Sequence, residues 1–224
     1  MCHLCHATIC TNNCYTNALR LIGHEISIER VYETITRDRQ FWGSEGGITL
    51  TGGEPLLQSN FTHALLRRCH EGYIHTAIET CGNVPWTNFR KIIPYTDWIF
   101  YDLKHMDSNL HKKGTNSGNS IILKNALRLS RVFKGRLIFR LPLIPSYNDS
   151  AENLNLVISF LKDIGKNEIN ILPLHHWGRE KYQMLQREYP GSSFPLPTPE
   201  KLKEIRELFS NSGVNCFIGS ETPF

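Results

Sequence analysis

The apolar residues of this chain change period along its length, and the changes recur at regular intervals. Ile48 and Leu50 alternate with Thr49 and Thr51, the period of a short strand. That strand runs into Gly52, Gly53, Glu54 and Pro55. Two glycines let backbone approach a ligand closely, and the proline removes an amide donor and ends the strand sharply. Upstream, Ile28, Val31, Tyr32 and Ile35 make one face of a helix of roughly four turns, with Ser27 as its cap. Downstream, the spacing predicts a helix over 60–69, with Ser59 as cap, Phe61, Ala64 and Leu65 facing inward and Gly72 as stop.

A strand follows over 76–80, then a short helix over 85–93. The apolar run over 98–103 reads as a strand buried on both faces. A polar excursion over 107–120 precedes a helix near 123–133, and a strand over 137–144 ends at Pro145. Leu154, Val157, Ile158, Leu161 and Ile164 form a helical stripe, followed by a strand over 169–174. Residues 181–197 read as a loop or broken helix. A last helix opens at Thr198-Pro199 and ends at Gly213, before a short strand at Cys216-Phe217-Ile218. Strand and helix alternate, which predicts an α/β fold of βα units around a parallel sheet.

Composition adds little to this picture. Of 224 residues, 40% are hydrophobic and 21% charged, as expected of a folded globular chain. The net charge of +4 is too mild to argue for nucleic acid. No stretch approaches the roughly 18 apolar residues of a membrane span, and no basic-then-apolar start marks a secretion signal. A cytoplasmic protein with no membrane or nucleic-acid partner is expected.

The cysteines change the picture more. Cys2, Cys5, Cys10 and Cys14 crowd the start, while Cys69, Cys81 and Cys216 are scattered. Four thiols in a short polar segment favour a metal site over disulfides. The spacing Cys-x2-Cys-x4-Cys-x3-Cys is close to the ferredoxin run that wraps a cubane cluster. Its middle gap is longer, and Tyr15 stands where the proline usually does. Iron–sulfur is favoured, with zinc, aided by His3 or His6, and no metal as alternatives. Residues 1–25 form one unit on this basis and 26–224 the other.

Polar groups collect at the strand ends. They are Gly52-Gly53-Glu54, then Glu79-Thr80-Cys81-Gly82, then Asp102-Leu103-Lys104-His105, then Arg140, then His175-His176. In a βα barrel the carboxyl edge of the strands holds the active site. Each residue alone has a plain structural use, such as an ion pair or a satisfied core histidine. Five in register point to one shared ligand. Glu79 and Asp102 suit a cation or ribose hydroxyls, Lys104 and Arg140 suit a carboxylate, and His175 suits a heterocycle. S-adenosylmethionine combines these groups.

The segments GITLTGGEPLLQ, HTAIETCGNVPW, YDLKHMD, FRLPLIPSYND and INILPLHHWGREKY occur in this order. With them the chain resembles the radical S-adenosylmethionine (SAM) activating enzymes of glycyl radical enzymes, the pyruvate formate-lyase activase type, from about Cys10 to Cys216. The resemblance implies a partial (β/α)6 radical SAM barrel, incomplete at its N-terminus, with residues 1–25 as the remnant of a ferredoxin-like 4Fe-4S insert. It implies that Gly52, Gly53 and Glu54 receive the methionyl amine, and that Glu79, Thr80 and Asp102 sit at the ligand and a nearby cation site. Lys104 and Arg140 would bind the cofactor's polar groups and His175 would lie by the adenosine, with His176 the lesser candidate. Cys2, Cys5, Cys10 and Cys14 would hold an auxiliary 4Fe-4S cluster. Family members often carry Asp where this chain has Glu79.

The activity implied is reductive cleavage of SAM to a 5′-deoxyadenosyl radical, which takes hydrogen from a glycine of a partner enzyme. The implied partners are that glycyl radical enzyme and a flavodoxin or ferredoxin as electron donor. The family's catalytic Cys-x3-Cys-x2-Cys does not occur; Asn17 stands two residues beyond the nearest spacing, Cys10-x3-Cys14. The sequence is therefore expected to be the C-terminal part of a longer activase, through truncation, a mis-called start or a split gene, and inactive alone. Two other readings stand beside it: an inactive fragment that only binds a cluster or SAM, and a lyase using Lys104 as a Schiff-base amine.

Overall fold

The computed structural model describes residues 9–16, 18–43 and 46–221. Their helices are α1 (Ile9–Asn12), α2 (Ile28–Arg37), α3 (Ser59–Glu71), α4 (Trp86–Ile92), α5 (Ser108–Thr115), α6 (Ser120–Val132), α7 (Ala151–Asp163), α8 (Arg179–Met184) and α9 (Pro199–Asn211). The strands are β1 (Gly47–Leu50), β2 (His75–Thr80), β3 (Trp98–Asp102), β4 (Arg136–Leu143), β5 (Glu168–Pro173) and β6 (Asn215–Ile218). They form one parallel six-stranded sheet in sequential order, β1 to β6, which does not close on itself. This is the open arc of a partial βα barrel. No described helix is long and apolar enough to cross a membrane.

The register separates the sheet's two faces. Ile78, Ile99 and Leu137 lie side by side across β2, β3 and β4, as do Tyr101 with Phe139 and Leu141 with Ile171. These side chains are fully or almost fully buried and meet Leu66 of α3, Phe89 of α4, Leu129 of α6, Val157 of α7 and Phe209 of α9. The opposite, concave face carries Glu79, Trp98, Phe100, Asp102, Arg136, Arg140 and Glu168 and is only partly covered. β3 therefore alternates in burial, with Ile99 and Tyr101 buried and Trp98, Phe100 and Asp102 half-buried. The expectation of a strand buried on both faces fails because helices cover one face only. The continuous apolar run instead supplies aromatic rings to the concave side.

Two expected caps hold. Ser27 accepts from the Arg30 amide at 3.2 Å and Thr198 from Lys201 at 3.2 Å, and the structure adds Ser150, which accepts from Asn153 at 3.2 Å; each satisfies one orphan amide of a first turn. α2 spans 10 residues, shorter than four turns, because the chain tightens into a 3-10 turn at Arg39–Phe41. Ser59 does not cap α3. A 3-10 turn at Pro55–Gln58 leads into the helix, and its cap is Glu54, whose Oε1 accepts from the Leu56 amide at 3.1 Å. The inward residues of α3 are Thr62, Leu65, Leu66 and Cys69, with Phe61 and Ala64 only half-buried. Gly72 does end α3, yet the left-handed residue is Tyr73, at φ 55°.

The polar excursion over 107–120 is largely helix α5. Asp107 Oδ1 accepts from the Asn109 and Leu110 amides, both at 2.8 Å. That cap starts a helix with almost no apolar period, so pattern alone passes over it. α6 likewise begins at Ser120, about a turn before the start expected near residue 123.

Candidate functional site

Arg140 is the centre of the concave face at the carboxyl edge. Its Nη1 lies 2.9 Å from Glu79 Oε1, and its Nη2 donates to Glu79 Oε2 at 3.2 Å. Its Nε donates to Asp102 Oδ1 at 2.9 Å, and Nη2 is also 2.9 Å from that oxygen. One guanidinium thus spans two carboxylates brought by two neighbouring strands, which suits its fork of donors. Its carbon sits 5.3 Å from the centre of the Phe100 ring. Thr51 Oγ1 adds a bond to Glu79 Oε2 at 3.0 Å, and Lys104 Nζ stands 4.0 Å from Asp102 Oδ2.

The two carboxylates respond differently. Burial raises the Glu79 pKa, but Arg140 and Thr51 outweigh it and the net shift is downward. Asp102 is less exposed, and its burial, with Glu79 nearby, exceeds the pull of Arg140 and Lys104, so its pKa rises. Burial works against the Arg140 charge, but the two carboxylates hold its pKa above the usual value. Asp102 and Glu79 are a pair of titratable groups pushed apart by unequal solvent access.

Beside this network lies a lip. Gly52 has φ 129°, a conformation for which glycine is suited, and a Cβ at Gly52 or Gly53 would meet no atom within 4 Å. Their backbone therefore faces open space. Glu54 behind them is committed to the protein. Its carboxylate accepts from Thr80 Oγ1 at 2.9 Å on each oxygen, from the Cys81 amide at 2.9 Å and from Cys81 Sγ at 3.1 Å, besides the Leu56 amide. Thr80 Oγ1 in turn accepts from the Gly82 amide at 3.0 Å. The lip is thus tied to the end of β2. Thr51 beside Gly52, and Glu79 beside Thr80, join it to the Arg140 network.

On the other flank, the ends of β4, β5 and β6 enclose a cavity of about 380 Å³ lined by Leu143, Ile144, Leu172, Pro173, His175 and Gly219, among others. His175 is exposed and stacks on Trp177 with centroids 4.3 Å apart and planes at 29°. A separate cavity of about 560 Å³ lies outside β1, between His24–Ile26 and α3, and holds none of the charged network.

Buried asparagines hold the loops that carry these groups. Asn148 Nδ2 donates to the Lys104 and Pro142 carbonyls, both at 2.8 Å, and its Oδ1 accepts from the Ile144 amide at 2.8 Å. Asn119 Nδ2 donates to the His105 and Met106 carbonyls, and Asn125 Nδ2 to those of Gly82 and Val84. A buried carbonyl without a donor costs about 1–3 kcal/mol, so these amides fix loop shape where the ladder ends.

The sequence-predicted residues divide as follows. Glu79, Asp102, Lys104 and Arg140 converge, and Gly52, Gly53, Glu54 and Thr80 form the adjoining lip. His175 lines the far cavity, and His176 points its Nδ1 to Tyr189 Oη at 3.4 Å instead. Cys10 lies on α1 and is exposed; Cys14 is half-buried and accepts from the Leu19 amide at 3.4 Å, which with Thr16 lowers its pKa. Cys2 and Cys5 lie outside the described residues, and no set of three metal-ligating side chains gathers among the described ones. Of the four cysteines, only Cys10 and Cys14 are among the described residues.

Thr51 and Asn148 were missed as supports of the site, and Cys81 was noted only as part of the β2 strand end. Period two from Ile48 would have put Thr51 on the face of Glu79. Nothing local marks Asn148, whose partners lie on separate loops.

Comparison with known proteins identifies the family. Residues 4–156 match the family described as the radical SAM superfamily. Over its whole length the chain is 41% identical to a 4-hydroxyphenylacetate decarboxylase activating enzyme of Clostridioides difficile, of which it covers 71%. It is 33% identical to an indoleacetate decarboxylase activating enzyme of Tractidigestivibacter scatoligenes, with 97% of this chain and 69% of that one covered. A solved domain of a pyruvate-formate lyase-activating enzyme from Bacteroides vulgatus superposes with a TM-score of 0.66 at 28% identity, covering 78% of this chain and 99% of that one. Family and relatives favour the activase over both an inactive fragment and a Schiff-base lyase, and the chain belongs to the radical SAM superfamily as a glycyl radical enzyme activating enzyme.

Proposed function

We propose that the carboxyl edge of this sheet binds SAM, with its methionyl end at the Gly52–Gly53 lip and its nucleoside end toward His175. The observation that carries this is the convergence of Glu79, Asp102, Lys104 and Arg140 from three strands beside that lip. The fit is chemical. Bare backbone at Gly52 and Gly53 suits an ammonium, since the Glu54 carboxylate is already engaged and holds the lip in place. Lys104, with its side chain 35% exposed and 4.0 Å from Asp102, is the cation able to reach a carboxylate. Arg140 fixes Glu79 and Asp102, whose free lone pairs suit ribose hydroxyls or a cation. The apolar cavity beside His175 suits a purine.

When bound and reduced by a 4Fe-4S cluster, SAM supplies the 5′-deoxyadenosyl radical chemistry of this superfamily. This chain's residues orient it and keep its charged end paired. We assign residues 1–25 to the remnant of a cluster-bearing insert, with Cys2, Cys5, Cys10 and Cys14 as its ligands. The names of the relatives suggest a glycyl radical enzyme acting on arylacetates as partner, with flavodoxin or ferredoxin as cytoplasmic electron donor. The 224 residues hold no Cys-x3-Cys-x2-Cys, so they bind SAM weakly and do not cleave it.

Calorimetric titration of the purified chain with SAM tests the site. Binding is expected, and Lys104→Ala is expected to weaken it about tenfold. Affinity unchanged by Lys104→Ala, or no binding at millimolar SAM, would overturn the assignment. Reductive cleavage by the chain after anaerobic cluster reconstitution would overturn the inactivity alone.

A further inference from the structure

The long connection between β5 and α9 leaves the carboxyl edge, the same edge that carries Arg140 and the Gly52–Gly53 lip. It is a built element. Tyr189 packs edge-on against His176 at 5.6 Å and against Tyr182 of α8 at 5.3 Å. Gly191 lies so close that a Cβ there would come 2.5 Å from the Tyr189 ring. This aromatic knot sets Arg179, Gln183 and Arg187 around one open cleft of about 900 Å³, with Tyr189 and Glu188 also lining it. Neither guanidinium is in an ion pair among the described residues.

The same element exposes large apolar side chains. Trp177 is 82% exposed and Met184 79%, with Leu185 and Leu196 also outside. Trp177 is held by its stack on His175, at the mouth of the site. Exposed Trp, Met and Arg together are the composition of an interface centre rather than of ordinary solvated surface.

We propose that the Trp177–Leu196 element is the docking surface for the polypeptide partner, and that it grips an acidic, extended segment flanking the partner's glycine. This rests on the activase reading. An activase must bring a backbone glycine to the carboxyl edge, so its protein substrate passes over loops at that edge. This element is continuous with the site, carries two unpaired guanidiniums for carboxylates, and presents Trp177 as the anchor nearest the pocket.

The test is biolayer interferometry with the immobilised chain and purified Clostridioides difficile 4-hydroxyphenylacetate decarboxylase as probe. Arg179→Glu with Arg187→Glu is compared with Arg131→Glu and Lys162→Glu, two exposed reversals at the far, amino edge. The first pair is expected to weaken binding about tenfold and flatten its salt dependence, and Trp177→Ala to weaken it several-fold. The amino-edge pair is expected to stay within about twofold of wild type. All variants are on exposed positions, and unchanged circular dichroism checks their folding. If wild type binds and the element's reversals weaken it no more than the amino-edge pair, the docking surface is wrong and the activase reading stands. If wild type does not bind the decarboxylase, the arylacetate-type partner falls and the docking surface with it.

Discussion

Arg140→Met separates the electrostatic role of the Arg140 network from simple packing. Methionine keeps the stem over Phe100 and the volume between β3 and β5, but removes four close polar approaches to Glu79 and Asp102. Two carboxylates then face each other with Lys104, 4.0 Å from Asp102, as the nearest cation. Removing one partner of a buried ion pair costs about 3–5 kcal/mol. Glu79 is 33% exposed and Asp102 16%, so solvent screens part of this and a loss of about 2–3 kcal/mol at pH 7 is expected. For a chain of this size that lowers Tm by roughly 5–10 °C.

The pH dependence is the sharper signature. In the wild type Glu79 has a lowered folded pKa, so its contribution is present above its unfolded pKa and is lost as pH falls through the folded value. Asp102 has a raised folded pKa, so its contribution is present below its unfolded pKa and is lost as pH rises through the folded value. The two opposed trends partly cancel. Without Arg140 both folded pKa values rise, and both carboxylates then favour the folded state on acidification. The deficit of Arg140→Met should therefore be largest at pH 7 and shrink toward pH 5. Urea denaturation at the two pH values reads it. A variant within about 0.5 kcal/mol of wild type at pH 7, or a deficit equal at both pH values, would refute this account.

Thr80→Val keeps shape but removes the hydroxyl between Glu54 and the Gly82 amide; a loss of about 1.5–3 kcal/mol is expected by denaturation. Gly82→Ala should cost more: the residue sits at φ 73°, and a Cβ would fall on the Tyr101 hydroxyl, which is itself bonded to the Ile122 carbonyl at 2.7 Å. Failure to fold, or a Tm drop above about 8 °C, is the expected result; wild-type stability would contradict the packing at the end of β2. Burial holds Cys69 and Cys216 at a pKa of about 11, whereas Cys10 is exposed. At pH 7.5 iodoacetamide should alkylate Cys10 well before either, as peptide mass spectrometry would show.

Much of the scaffold was legible from residue order. The switch between strand-like and helical patterning located all six strands and most helices, because each element buries one face and the chain records which positions face inward. Caps at Ser27 and Thr198 were readable because they act within three residues. Where the apolar signal vanished, as over 107–120, the helix was missed, since Asp107 and not a buried stripe begins it. Ser59 was expected to cap α3, but the helix is entered through a 3-10 turn capped by Glu54, which serves two places at once, the turn at Leu56 and the end of β2.

The residue order also named the site's components: a glycine lip, carboxylates at Glu79 and Asp102, cations at Lys104 and Arg140, and His175. Which of them act on one another was decided only in three dimensions. Arg140 lies 61 positions from Glu79 and 38 from Asp102, and parallel register alone brings the three together. Register likewise turned Trp98 and Phe100 out of the core, since an arc covered by helices on one side leaves the other side open. Spacing along a chain reports what touches within a turn or a strand; ion pairs between strands, and the buried asparagines that tie separate loops, exist only once the sheet has assembled.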